Sequence, residues 1–281
     1  MRYPEGREKA LTFSYDDAPV QDEKLVKLFL ESGVKGTFNL SPDFFGKTCV
    51  DPPHQSWMDL ESVKRTYTGT GMEVALHGYT HGELPMMDDA AMLWEILLNR
   101  KVLEDLFDCR VSGFAYPQGA VDARTERRLA DAGVDYARIA TAGSESFQAI
   151  PDNWYRWEGT AHHGHPRLME LAEQFMTARA TTFPWYHTSE PMLFYVWGHS
   201  YEFWASDNWW IMEKFLDRIS GHPGEIWYAT NLEIFRYTKA FQSLQYSVER
   251  GIVYNPSGCA VWLLKDEKTY CVEPGKELIL Q

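Results

Sequence analysis

The sequence predicts an α/β fold: a distorted (β/α)7-type barrel of parallel strands over residues 1–244, with a small β extension over residues 245–281 packed on it. Three observations predict it. Short apolar runs alternate with helical patterns about seven times. Polar residues gather where several of those runs end, which is where parallel barrels carry their sites. From about residue 245 the rhythm gives way to short strands with turns at "NPSG" and "KDEK".

The elements follow in order. "KALTFSY" (9–15) reads as a buried strand, and "DEKLVKLFLESG" (22–33) as a helix, with Leu25, Val26, Leu28 and Phe29 at helical spacing and Gly33 as its stop. "KGTFNL" (35–40) is the second strand. A long connection with "DPPHQSW" leads to a helix in "SWMDLESVKRTYTGTG" (56–71) and a third strand in "MEVALH" (72–77). "MDDAAMLWEILLNRKVLEDLF" (87–107) is a long amphipathic helix capped by Asp88 or Asp89. "VSGFAYP" (111–117) and "VDYARIA" (134–140) are strands on either side of the helix "DARTERRLADAG" (122–133). Residues 143–165 read as a loop rich in Trp and His. Then come a helix (166–180), the strand "PMLFYVWGH" (191–199), a helix (207–220), the strand "EIWYATN" (225–231) and a helix (232–244). There are no internal repeats and no low-complexity stretch.

Composition narrows the function. The 281 residues, 44% hydrophobic and 24% charged, suffice for one large α/β domain or two small ones. Aromatics reach 15%, with 11 Trp, which suits a cleft lined by flat rings as well as a heavy core. A net charge of −13 repels a nucleic-acid backbone, so nucleic acid is not an expected partner. No stretch of about 20 apolar residues occurs, so no membrane span is expected. The start lacks a signal-peptide core, which reads as cytoplasmic, with export as the alternative if a leader precedes this sequence. Cys49, Cys109, Cys259 and Cys271 have no CxxC spacing and read as reduced thiols, even though a C-terminal hairpin could set Cys259 opposite Cys271. The sequence leaves the oligomeric state open.

The chemistry is carried by residues at strand ends. Asp16 and Asp17 end the first strand, His77 ends the third with His81 four residues on, "YPQG" ends the fourth, and His199 ends the sixth. Adjacent strand residues point to opposite faces, so both aspartates share a site only where the strand turns, as Pro19 suggests. Each of these residues has an ordinary alternative: a helix cap for an aspartate, a surface turn for the histidines. Together, one carboxylate and two imidazoles suit a divalent metal, Zn²⁺ first, with Co, Mn, Ni and Fe as alternatives. The second aspartate is then free as a general base, and His199 as a proton donor.

"TFSYDDA", "HGYTH", "AYPQG" and "YVWGHSYEF" resemble the motifs of the polysaccharide deacetylase family, the NodB-homology domain of carbohydrate esterase family 4. The likeness covers about residues 8–240 and fits a bacterial subgroup with FSYDD and YVWGHSYEF motifs. It implies that Asp16 is the catalytic base, that Asp17, His77 and His81 are the metal ligands, and that His199 is the catalytic acid. It also implies that the Gln118 backbone N–H is an oxyanion donor. The chain departs from the pattern at several points. Gly78 replaces a Ser or Thr. Ala18 replaces a Gly, which requires a negative φ. Ala115 stands where the family has the Arg that orients the base, and the fourth motif is not recognisable. Arg138 is the candidate for that vacant role, with a structural ion pair as the alternative.

Tyr79, Tyr116, Pro117, Trp197 and Trp204 are the candidate substrate contacts, with Tyr79 and Trp204 the better platforms. Core packing is expected for Trp209 and Trp210. Glu202 is placed to orient His199. His162 and His163 read as a solvated loop ahead of substrate contacts, and a second metal site ranks last. His54, His187 and His222 read as surface or packing residues. The resemblance implies a metal-dependent hydrolase removing acetyl groups from an acetylated oligo- or polysaccharide, N-acetyl preferred and O-acetyl as a variant. The alternatives are a hydrolase of a small non-sugar amide on the same scaffold and a non-catalytic carbohydrate-binding protein.

Overall fold

Eight parallel strands form the central sheet: β1 (Lys9–Asp16), β2 (Thr37–Leu40), β3 (Glu73–Leu76), β4 (Gly113–Ala115), β5 (Tyr136–Arg138), β6 (Ala161–His162), β7 (Met192–Gly198) and β8 (Ile226–Tyr228). The computed structural model describes residues 1–49, 55–179, 182–183 and 188–280. The sheet order is β5-β4-β3-β2-β1-β7-β6, and β8 pairs with the first residues of β1. Every residue of β1 and β7 is buried, as expected for central strands of a parallel sheet covered on both faces.

The expected seven-strand reading is corrected at one place. Residues 143–165 were expected to be a loop, but their second half joins the two edges of the curled sheet. The Trp157 N–H donates to Ala137 O at 3.0 Å and Trp157 O accepts from Ile139 N–H at 3.1 Å. A few residues on, Ala161 and His162 pair with Val196 and Trp197 of β7. The pairing is too short to leave a strand signature in sequence. In exchange, the last expected strand, β8, lies beside the start of β1 and takes no place in the run around the mouth.

Helices α1 (Asp22–Ser32), α2 (Leu60–Tyr67), α3 (Asp89–Phe107), α4 (Ala123–Asp131), α5 (Leu168–Thr177), α6 (Ser200–Ala205), α7 (Trp210–Ile219) and α8 (Asn231–Gln242) cover the sheet. Their starts follow capping chemistry. Asp59, Asp88 and Asp122 each accept a backbone N–H of the first turn, and Thr230 with Glu233 forms a capping box. The short helix α6 was not expected. Phe13, Phe29 and Phe215 knit β1 to α1 and α7, with ring centroids 4.5 and 6.0 Å from Phe13. Each such ring contributes about 1.5–3 kcal/mol by burial. At the strands' N-terminal end, half-buried Glu73 accepts from Thr37 Oγ1 (2.9 Å), Tyr136 OH (2.7 Å) and the Leu232 N–H (2.8 Å), which seats the start of α8 there.

The last residues form two antiparallel units: strands 245–246, 252–254 and 277–279, and a hairpin of 261–265 with 268–272. Asp266 and Glu267 both have positive φ at the "KDEK" turn, the conformation that matches the twist of a tight hairpin. The hairpin docks beside the chain's first residues. Arg2 N–H donates to Trp262 O at 3.0 Å, and Trp262 N–H donates to Tyr237 OH at 2.9 Å. Cys259 and Cys271 remain separate thiols.

Candidate active site and metal centre

The C-terminal ends of β1, β3, β5 and β7 bring the predicted polar residues together. Asp16 closes β1 beside Asn39 of β2. The backbone then leaves the strand sharply, with φ of +81° at Asp17 and +57° at Ala18. This turn swings Asp17 onto the same mouth as Asp16. The expectation that Ala18 needs a negative φ is therefore overturned: an alanine holds a conformation that favours glycine, a strain of the kind stored at functional sites.

Asp17 Oδ1 lies 3.6 Å from His77 Nε2 and 3.5 Å from His81 Nε2. These separations fit three ligands around one ion at bonds of about 2.0–2.1 Å. Asp17 Oδ1 is buried and has no hydrogen-bond partner. A buried carboxylate oxygen left without a donor, facing two imidazole nitrogens, is what a cation would satisfy. His77 Nδ1–H donates to Ala115 O at 2.8 Å, which leaves the Nε2 lone pair toward Asp17. Burial pushes the His77 imidazole down to about 4, so it is neutral and able to ligate at neutral pH. The donor set fits a divalent metal.

The HxxxH segment is a turn, not a helix. Gly78 has φ +70° and His81 φ +61°, and Glu95 of α3 pins the turn by accepting from Thr80 N–H (2.8 Å) and Oγ1 (2.7 Å). Asn99, one helical turn on, accepts from His77 N–H at 2.9 Å. The glycine at 78 is thereby explained: a Cβ would stand 3.4 Å from Glu95 Oε2 and from Pro117 Cγ, on a left-handed backbone. Gly78→Ser, which restores the family's hydroxyl residue, is expected to destabilise the protein by about 1–3 kcal/mol and to weaken metal binding. Thermal melts and metal titration of the variant check this.

Asp16 is 2% exposed and held on both oxygens. Asn39 Nδ2 donates to Oδ1 at 2.8 Å, and Arg138 Nη2 pairs closely with Oδ2. Arg138 and Ala115 are register neighbours on β5 and β4, so the guanidinium enters from one strand over at the level of the missing arginine. Its Cζ lies 4.6 Å from the Trp197 ring centroid, and its Nε donates to Ser14 Oγ at 3.2 Å. Burial would raise the Asp16 carboxyl, but Arg138, His77 and His199 hold it at about 2. His199 moves the opposite way. Burial would lower it, but Glu202, Asp16 and Asp17 raise it to about 9. Its Nδ1 lies 3.2 Å from Glu202 Oε1, and its Nε2 faces Asp16 Oδ2 at 3.7 Å.

The remaining candidates divide. Pro117 packs beside Gly78 at the mouth, and Gln118 follows it with φ +55°. Tyr79 is half-buried, edge-on to Trp94 at 5.3 Å, and Trp204 is exposed. Tyr116 is corrected: it is 1% exposed against Phe114, offers no face to a substrate, and is a core residue. Trp197 is largely buried, with Nε1–H donating to Thr141 O at 3.0 Å, and its remaining edge walls a cavity with Thr141, His162 and Pro166. Trp209 packs on Phe203 as expected, but Trp210 is 59% exposed, because α7 begins there and turns its first residue outward. The solvated-loop reading of His163 is corrected too: it is 3% exposed. His222 is half-buried, and His54 and His187 lie outside the described residues.

Sequence reasoning missed Asn39, Glu95 and Asn99. The signal was present: Asn39 is a polar residue inside a strand run, and Glu95 and Asn99 lie on the apolar face of α3 with Met92, Ile96 and Leu103. It also missed the Phe44–Trp57 pair, whose Phe44 ring lies 5.3 Å from His81.

Residues 3–137 match the family model described as polysaccharide deacetylase. The fold is similar to that of a candidate polysaccharide deacetylase from Mycobacterium smegmatis, at 16% identity over 86% of this chain and 94% of that one, with a TM-score of 0.59. It is similar to a peptidoglycan deacetylase from Bacillus subtilis at 13% identity, over 84% and 94% of the two chains, with a TM-score of 0.50. A family 4 pseudoenzyme from Bacillus anthracis matches at 13% identity and a TM-score of 0.48, over 81% of this chain and 66% of that one. No curated protein matches the sequence. At these identities the likeness is one of fold. Among the described residues, no helix is long and apolar enough to cross a membrane.

Proposed function

We propose that this chain, whose residues 3–137 match the polysaccharide deacetylase family model, is a metal-dependent deacetylase of acetylated carbohydrate, with N-acetyl groups as its preferred target. One observation carries the reading. Two titratable groups at one mouth, Asp16 and His199, have environments that push them apart, to about 2 and about 9. Such a split separates base from acid. A pure binding protein has no use for it.

A divalent metal, Zn²⁺ first, held by Asp17, His77 and His81, would polarise the acetyl oxygen and make water a better nucleophile. The chain's own residues do the rest. Asp16, ionised and fixed by Arg138 and Asn39, takes a proton from the attacking water. The new C–O bond forms at the acetyl carbon, and the C–N bond breaks. His199 gives its Nε2 proton to the departing nitrogen, leaving an amine and acetate. The Gln118 N–H is the family's oxyanion donor, carried here as part of the proposal. Trp204 and Tyr79 are the proposed sugar platforms, and Phe44 with Trp57 is an added one on the metal side.

The pH dependence follows from the two shifts. Asp16 is ionised at every pH above about 2, so it sets no limb in the working range. His199 must be protonated, so kcat/KM falls as pH rises through about 9. A pH–rate profile on an N-acetylated oligosaccharide is expected to show that alkaline limb. Titration with Zn²⁺ is expected to give one ion per chain, lost in His77→Ala. Activity with no alkaline limb, or metal uptake unchanged in His77→Ala, contradicts the assignment.

A further inference from the structure

The histidine pair in "AHHGH" has no part in the chemistry above, yet it is built into the site's wall. Glu202 Oε2 lies 2.9 Å from His163 Nε2 and 3.1 Å from His162 Nε2, while its other oxygen faces His199 Nδ1. One carboxylate thus receives three imidazoles.

Two histidines and a glutamate so close together also suggest a second metal, but the tautomers oppose it. His162 Nδ1 accepts the Gly164 N–H at 3.1 Å, so its proton sits on Nε2, the atom that faces Glu202. A metal would need the lone pair there. His163 lies between Tyr15, stacked at 5.7 Å, and Phe203 at 4.0 Å. Its Nδ1 is buried without a partner and points at Gly198, where a Cβ would stand 2.0 Å away. Burial keeps this imidazole neutral at neutral pH, with its Nε2 2.9 Å from Glu202 Oε2. These two imidazoles flank the carboxylate without neutralising it. Its full charge is left for His199.

We propose that His162 and His163 are positioning residues that act through Glu202 to hold His199 charged and aimed at the leaving group. The proposal rests on the deacetylase reading for its effect on rate, and on the close approach of the three imidazoles to Glu202 alone for its effect on His199. Glu202 is flanked by His162 and His163 of the β6 segment, His199 is carried by the end of β7, and the glycine at 198 makes the space that His163 fills.

The test separates leaving-group protonation from general damage. His163→Phe keeps the stacking between Tyr15 and Phe203 and removes the N–H. It is expected to lower kcat on an N-acetylated oligosaccharide by about 10–100-fold with KM changed less than about threefold. On 4-nitrophenyl acetate, whose phenolate leaves without a proton, the loss is expected to stay within about threefold. His163→Gln, which returns an N–H near the Nε2 position, is expected to recover most of the amide rate. His162→Ala, at a half-exposed position, gives the same split should His163→Phe fail to fold. Equal losses on both substrates, or none on the amide, would overturn the proposal. A second readout needs no turnover. The His199 Nδ1–H is expected as a slowly exchanging downfield proton resonance, shifted in His163→Phe and absent in Glu202→Gln. If the wild type releases no acetate from either substrate, the deacetylase reading fails and this resonance decides. Its change in His163→Phe supports the positioning role, and an unchanged resonance contradicts it.

Discussion

Asp16→Asn is expected to lower kcat/KM on an N-acetylated oligosaccharide by about 10²–10⁴-fold, the usual contribution of a positioned general base, while one metal per chain still binds. The substitution is close to isosteric. It keeps an oxygen for Asn39 or Arg138 but removes both the charge and the proton acceptor. Asp17, His77 and His81 are untouched, so metal stoichiometry should hold. The variant also removes one of the charges that raise His199. Any residual activity should therefore lose its alkaline side at a lower pH than the wild type. Retained activity with an unmoved limb would remove Asp16 from the role of base.

Arg138→Met is expected to have the largest effect on stability. Arg138 is fully buried and pairs with Asp16, itself 2% exposed. Removing one partner of a buried pair leaves the other charge stranded, at a cost of about 3–5 kcal/mol. For a chain of this size that lowers Tm by roughly 6–20 °C. The linkage has a definite sign. Asp16 is depressed in the fold to about 2 from its ordinary value of 3.8. It therefore contributes stability above the unfolded pKa, lost as pH falls through about 2. Without Arg138, burial raises the carboxyl, and the variant should regain stability on mild acidification where the wild type does not. The double variant Asp16→Asn/Arg138→Met should recover part of the loss, because neither charge is then stranded. A single-variant cost below about 1 kcal/mol would show that the pair is solvated and the guanidinium not a fixed orienter.

Much of this site was legible because its chemistry is written at strand ends. "SYDDAP" combines an acidic pair with a turn residue, and "HGYTH" and "WGH" each follow an apolar run. The strands themselves came from those runs, since a buried parallel strand is apolar almost throughout. Arg138 was named from sequence, but its choice between ion pair and orienter needed the register that sets it beside Ala115. What was not legible depends on long-range closure. Trp157 to His162 carry no period-2 or helical pattern, and their place between β5 and β7 arises from a few backbone bonds. The burial of His163 follows from that closure, so a loop reading was the natural one. Tyr116 shows the converse: a residue beside a motif glycine and proline looks like a lining residue until its ring turns into the core against Phe114. Ala18 shows that strain cannot be read from residue type, because a non-glycine residue stands at φ +57°.

The central claim is that this mouth hydrolyses an acetyl group with a metal, a base and an acid from this chain. Acetate release from chito-oligosaccharides and from an aryl acetate, with Zn²⁺ or Co²⁺ supplied, tests it most directly. The account predicts release by the wild type, abolished by a chelator, restored by added metal, and lost in Asp16→Asn. No release from either substrate by protein that holds one metal per chain would contradict it, and would point the same site toward small amides or toward binding without turnover.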